Sequence, residues 1–132
     1  RMNHIPSPAP KTGDELLEYA IKRVGADKAP RVTPTDIEAN IASTVYFTAF
    51  QGFEGNDDTE DQSLATCDAL RLLTFCVLVL KNGFTVTGES ACASPQNFNA
   101  EIGRKIAREN AVQKIWPLMG YELRSKLAGG QA

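Results

Sequence analysis

The sequence predicts an α+β fold with a small antiparallel β-sheet, and three observations carry that prediction. Arg71–Leu80 is a near-continuous apolar run, Lys81-Asn82-Gly83 follows it, and Phe84–Thr87 alternates in pattern. Asn-Gly between two such runs is the strongest short-range hairpin signal, because a type I′ turn needs positive φ at both central residues. Segments of helical period flank this hairpin on both sides instead of alternating with strands, so the strands pair with one another and helices pack on them.

The elements are justified in chain order. With 132 residues, 42% of them apolar, the chain has material for one domain with one modest core. Residues 1–30 read as a flexible arm and a short helix, 31–128 as a single α+β domain and 129–132 as a disordered tail. The arm begins in the Pro-rich stretch Ile5-Pro-Ser-Pro-Ala-Pro10. From Asp14 to Val24, Leu17, Ala20, Ile21 and Val24 recur at helical spacing and Gly25 follows as a stop. Thr33-Pro34 opens a second helix running to about Ser43, since Thr caps and Pro is tolerated at the first helical position. Thr44–Phe50 is rich in β-branched and aromatic residues and reads as a strand ended by Gly52 and Gly55.

The hairpin centred on Asn82-Gly83 supplies the second and third strands, with Gly88–Cys92 continuing the latter or bending it away. Apolar groups on both faces of 71–80 make that strand central and covered on both sides, by helices or by a second subunit. Ser94-Pro95 repeats the cap-plus-proline device. Phe98, Ile102, Ile106, Val112 and Trp116 then gather on one face of a helix that Pro117 breaks, and a last short helix spans 118–127.

Charge narrows the function. Fourteen Lys+Arg against sixteen Asp+Glu give a net charge of −2, so a whole-protein grip on nucleic acid or an anionic membrane is not expected. Six acids and no base lie between Phe53 and Leu70, whereas Pro95–Ala128 holds six bases against three acids. The acidic loop 53–68 lacks the spacing of an oxygen-ligand calcium loop, and a solvated loop is the stronger reading. The longest strongly apolar run is half the ~18 residues of a membrane span, and a cytosolic protein is the expectation. Cys67, Cys76 and Cys92 form no Cys-x-x-Cys pair and read as reduced, mostly buried thiols, while the lone His4 sits in the Pro-rich arm. No phosphate-loop, dinucleotide-binding or nucleophile-elbow motif occurs, and neither cofactor nor metal is expected.

Arg104 and Arg108 stand one helical turn apart, beside Gly103, Ala107 and Ala111. Like charges at that spacing cost a few tenths of a kcal/mol, which a bound phosphate or an acidic partner offsets. A solvated face, or pairing with the 53–68 loop, is the competing explanation. Arginine at both positions leans towards bidentate phosphate or carboxylate recognition. The phenyl rings Phe47, Phe50, Phe75, Phe84 and Phe98 are mostly core by spacing. Phe84 is the exception, placed where a hairpin presents an aromatic edge to a base. The turn explains Asn82, with a polar ligand contact as a second use. Glu89 is a conceivable general base without a recognisable partner.

Arg31–Ser43, Leu73–Cys92 and Phe98–Tyr121 together, with Asn-Gly-Phe, Gly-Glu-Ser and Glu-Ile-Gly-Arg-x-x-Ala-x-x-Asn-Ala, resemble a widespread family of small tailed-phage proteins, the gene-product-forty-nine family. The resemblance covers about residues 31–127 and implies a phage or prophage product in the host bacterial cytoplasm, with no activity attached. The layout of a small sheet, two C-terminal helices and two arginines is also similar to the phage Thoeris anti-defence protein one, a homo-oligomer that sequesters cyclic ADP-ribose signals without cleaving them. That similarity implies phosphate binding by Arg104 and Arg108, ring stacking by Phe84 or Phe75 and a polar contact from Asn82. The insertion 53–68 is unmatched in it.

The expectation is therefore a non-enzymatic protein that sequesters a cyclic nucleotide immune signal, a cyclic ADP-ribose isomer or a cyclic oligonucleotide. A homodimer or higher homo-oligomer is expected with it. The alternative is a phage regulatory module that binds a host protein or DNA through the 98–116 helix, for which +3 over 34 residues is a thin electrostatic footprint.

Overall fold

Thr33, Thr48, Ser63 and Asn99 each accept a backbone N–H three residues on, and a helix begins after each. The computed structural model describes residues 13–56 and 62–130. Its order is α1 (Gly13–Arg23), α2 (Pro34–Ala39), β1 (Ile41–Thr48), α3 (Ala49–Glu54), α4 (Leu64–Leu70), β2 (Leu73–Leu80), β3 (Thr85–Ala91), a 3-10 turn (Pro95–Asn97), α5 (Ala100–Gln113) and α6 (Ile115–Ala128). The strands form one antiparallel sheet in the order β1-β2-β3. The architecture is α+β. His4, the Pro-rich start, Asp57, Asp58, Glu60, Asp61 and the last two residues lie outside the described residues.

Several boundaries differ from the sequence reading. α2 stops at Ala39, and the chain is already extended at Ile41 because the Asn40 carbonyl accepts the Lys81 N–H and docks β1 on the hairpin. β1 ends at Thr48, whose capping box with Gln51 starts α3 where a strand and glycine stops were expected. Helix α4 occupies the C-terminal part of the acidic segment, and Asp68 there pairs with Arg71. β3 runs straight through Gly88 to Ala91.

The hairpin turn is not type I′. Gly83 alone has positive φ, at 88°; Asn82 does not. The Gly83 N–H donates to the Leu80 carbonyl at 2.9 Å and the Leu80 N–H to the Phe84 carbonyl at 2.8 Å, which closes a three-residue loop with the glycine in the left-handed position. Asn82 serves it by accepting the Phe84 N–H on its side-chain oxygen at 2.9 Å.

The core lies on one side of the sheet. Thr74, Cys76, Leu78 and Leu80 alternate inward along β2 and meet Ile37, Val86, Ala107, Ala111, Val112 and Ile115. α5 crosses β2 and β3 on a stripe of small residues, Gly103, Ala107 and Ala111, all buried. This corrects the expected face: Ile102 and Ile106 are 57% and 44% exposed. Gly88 gives the reason. A Cβ built on it would sit 2.9 Å from Ala111 Cα and nearer still to the Ala107 carbonyl oxygen and the Ala111 nitrogen, so helix and sheet are in backbone contact there. Only small residues fit such an approach, and the surface that Ala107 and Ala111 leave open is filled by β3.

α5 ends at Gln113, earlier than the expected Trp116. Pro117 cannot donate to the residue-113 carbonyl and its ring would clash with it, so the helix breaks at Lys114 and Pro117 falls in the first turn of α6. α1 is held by the Arg31–Glu18 ion pair and by Asp14, which accepts from Gln113 at 3.2 Å and Trp116 at 3.3 Å. Arg31 keeps the Glu18 carboxyl below its ordinary range through that hydrogen bond.

Candidate functional site

The register that pairs Tyr46 with Cys76 and Thr48 with Thr74 puts both β1 side chains on the core side of the sheet. α5 covers β2 and β3 there and leaves β1 bare, with Ala42–Tyr46 all exposed. A groove of about 240 Å³ remains between α5 and the end of β1, lined by Tyr46, Thr48, Gln51, Thr74, Phe98 and Arg104, with the first residue of α5 at its end. The start of this 14-residue helix adds partial positive charge.

Two polar groups at the groove have no partner among the described residues. Arg104 makes no ion pair among the described residues. Thr74 is 3% exposed, and its hydroxyl has no hydrogen-bond partner among the described residues. It lies under Gly103, where an added Cβ would come within 3.1 Å of it. A buried polar atom left in that state costs about 1–3 kcal/mol.

Arg108 stands differently. Glu38 of α2 accepts both of its terminal nitrogens, at 2.8 and 3.1 Å. That hydrogen bond holds the Glu38 carboxyl below its ordinary range and raises the guanidinium, with burial opposing both shifts. Tyr46 and Arg104 line the groove together. Beyond Arg108, a cleft of about 280 Å³ is edged by Asp14, Glu15, Glu38 and Glu109 and does not suit an anion. The competing idea of arginines paired with the 53–68 loop fails for Arg108, whose partner is Glu38.

The remaining sequence candidates lie elsewhere. Phe84 is 57% exposed at the hairpin and shares a shallow cleft with Asn82, Leu118 and Met119. Phe75 faces the opposite side of the sheet, stacked on Phe47 with ring centroids 5.5 Å apart. The five expected contacts thus do not line a common pocket in one copy. Glu89 gives its carbonyl to the Asn110 amide at 2.9 Å. The three cysteines are free, and burial pushes the Cys76 thiol up, away from the reactive thiolate. Tyr46, Thr74 and Glu38 were not singled out from sequence. Each acquires its role from a neighbour distant in the chain, and no local motif marks it.

The model of the Phage protein (N4 Gp49/phage Sf6 gene 66) family matches residues 32–127. The chain belongs to this family. The match begins at α2 and ends in α6, so the sheet, the groove and both α5 arginines all lie within the phage-family region. It gives no support to the second resemblance, to the Thoeris anti-defence protein. No curated protein and no solved structure matches the chain.

Proposed function

We propose that this phage-family protein is a non-enzymatic binding protein that holds a cyclic nucleotide immune signal, a cyclic ADP-ribose isomer or a cyclic oligonucleotide, and so withholds it from a host defence. One observation carries the reading: Arg104, with no carboxylate partner among the described residues, shares an aromatic-lined groove with the Tyr46 phenol and the Gln51 amide. Phosphate oxygens only accept hydrogen bonds, and Arg104, Tyr46 and the Gln51 amide are donors. Arg108 spends two of its five N–H groups on Glu38 and keeps three for a second phosphate. Tyr46 and Phe98 are placed to take a base, the role expected of Phe84 or Phe75. At about 240 Å³ the groove takes one nucleotide unit, and the rest of a cyclic ligand lies over bare β1. Sequestration needs affinity and abundance, and no proton transfer.

Thermal melting against cyclic ADP-ribose isomers and cyclic di- and trinucleotides tests the reading. A ligand at a hundred times its dissociation constant adds about 2.7 kcal/mol, a shift of several degrees. Arg104→Ala abolishes the shift, Arg108→Ala reduces it, Phe84→Ala leaves it, and denaturation returns the ligand intact. No shift with any nucleotide, or a hydrolysed product, defeats the proposal.

A protein partner on the 98–116 helix is the second reading, favoured by exposed Ile102 and Ile106 beside an apolar cleft with Leu72 and Cys92. Glu101 and Glu109 interrupt the bases of α5, which speaks against DNA. Ile102→Ser/Ile106→Ser abolishes capture of such a partner and spares any nucleotide shift.

A further inference from the structure

Among the described residues, no helix crosses the middle of the face of the sheet away from α5. Ser43, Val45 and Phe47 of β1, Phe75, Val77 and Val79 of β2, and Thr85, Thr87 and Glu89 of β3 share it. Val45 is 48% exposed, the three β2 residues are half-buried, and the β3 residues are exposed. Apolar residues therefore occupy both faces of the central strand, and α5 protects only one. A sheet with an apolar face buries it against another layer.

We propose that a second copy of this chain forms that layer, packed face to face about a two-fold axis that crosses the strands at the Val45–Val77–Thr87 row. The occupant follows from the pattern of the face. Its three registered rows run from large to small: Phe47–Phe75–Glu89, then Val45–Val77–Thr87, then Ser43–Val79–Thr85. Rotation about the middle row lays Phe47 over the partner's Ser43, Phe75 over the partner's Val79 and Glu89 over the partner's Thr85 at the rim. Large meets small, and the carboxylate stays beside a hydroxyl at the edge. A symmetric interface requires this kind of self-complementarity.

Charge argues the same way. Glu89 is the sole charged side chain among these nine residues, so a nucleic acid or a charged peptide finds nothing to pair with. Size is also adequate. Three strands about 4.8 Å apart and eight residues long make a face of roughly 14 by 26 Å. That is about 360 Å² in projection, and with the relief of its side chains it approaches the ~500 Å² per partner at which specific interfaces begin. Two such sheets pack about 10 Å apart as an aligned sandwich. The groove over β1 opens on the far side of the sheet and shares one residue, Phe47, with this face, so the dimer is tested apart from what the groove binds.

Sedimentation of the full chain at micromolar concentration tests the proposal. The wild type sediments as a dimer, and Val45→Glu/Thr87→Glu, which alters two exposed side chains on the axis, sediments as a monomer with unchanged circular dichroism. Should that variant fail to fold, cysteine pairing decides. In a background with Cys67 and Cys92 replaced by Ser, a bis-thiol reagent spanning about 10 Å joins two copies through Val45→Cys, and does not through Tyr46→Cys, on the other side of the same strand. A monomeric wild type, a dimer that survives the double substitution, or crosslinking through residue 46 in place of 45 overturns the proposal.

Discussion

Gly88→Ala is the sharpest test of how this fold is built. Gly88 needs no positive φ, so space alone is at issue. The added methyl would lie 2.9 Å from Ala111 Cα and closer to two further backbone atoms of α5, the Ala107 oxygen and the Ala111 nitrogen. Backbone atoms in mid-helix cannot swing aside as the end of a side chain would. Restoring a non-bonded separation near 3.5 Å lifts α5 by roughly 1 Å, and a gap of that size forfeits a quarter to a half of each dispersion contact across the layer. Overpacking alone costs about 1–3 kcal/mol. With contacts loosened at Cys76, Leu78 and Val86, the total comes to about 3–5 kcal/mol, a large share of the ~5–15 kcal/mol a domain possesses. Urea unfolding followed by circular dichroism measures it, with the slope compared between proteins to confirm that the same surface unfolds. Gly120→Ala is the control. Nothing lies within 4 Å of its would-be Cβ in α6, and it gains about 0.5–1 kcal/mol from helix propensity. A Gly88→Ala protein within about 1 kcal/mol of wild type at equal slope refutes the backbone-contact argument.

Thr74→Val keeps the shape of the side chain and removes the unpartnered hydroxyl; stability rises by about 1 kcal/mol in urea unfolding. A loss of stability shows instead that the hydroxyl is satisfied in solution. Glu38 titrates below its ordinary 4.5 in the folded state, because Arg108 hydrogen-bonds its carboxylate. Its contribution is therefore complete above about pH 4.5, the unfolded value, and is lost as pH falls through the lowered folded value. The pair is half exposed, so the effect stays under about 1 kcal/mol, and Glu38→Gln flattens the acid limb of a pH–stability curve by that amount. A Glu38→Gln curve as steep as wild type between pH 5 and 3 contradicts the assignment. Asn99→Ala removes the cap on the Ile102 N–H and lowers stability by about 1 kcal/mol; an unchanged urea midpoint shows that water caps α5 equally well.

What the chain specifies locally was legible in its sequence. The hairpin, the cap at Thr33 and the class of fold depend on residues within a few positions of one another, and their chemistry acts before any tertiary contact forms; Ser94-Pro95, read as the start of the long helix, opens only the 3-10 turn, and Asn99 caps α5 instead. The Thr48–Gln51 capping box belongs to the same kind, although the β-branched stretch before it hid the helix it starts. Arg104 and Arg108 were recognisable as a pair because helical spacing alone sets their relation. The tertiary structure decided the rest. Hydrophobicity placed Ile102 and Ile106 inside, yet the backbone contact at Gly88 selects for size, and Gly103, Ala107 and Ala111 face the sheet instead. Glu38 claims Arg108 across 70 residues, and Thr74 loses its hydrogen-bonding partners because α5 lies on it, so the two arginines became unequal only when the layers met. Periodicity records which residues prefer to leave water; which of them touch, and which are left without a partner, is settled by how closely two backbones approach.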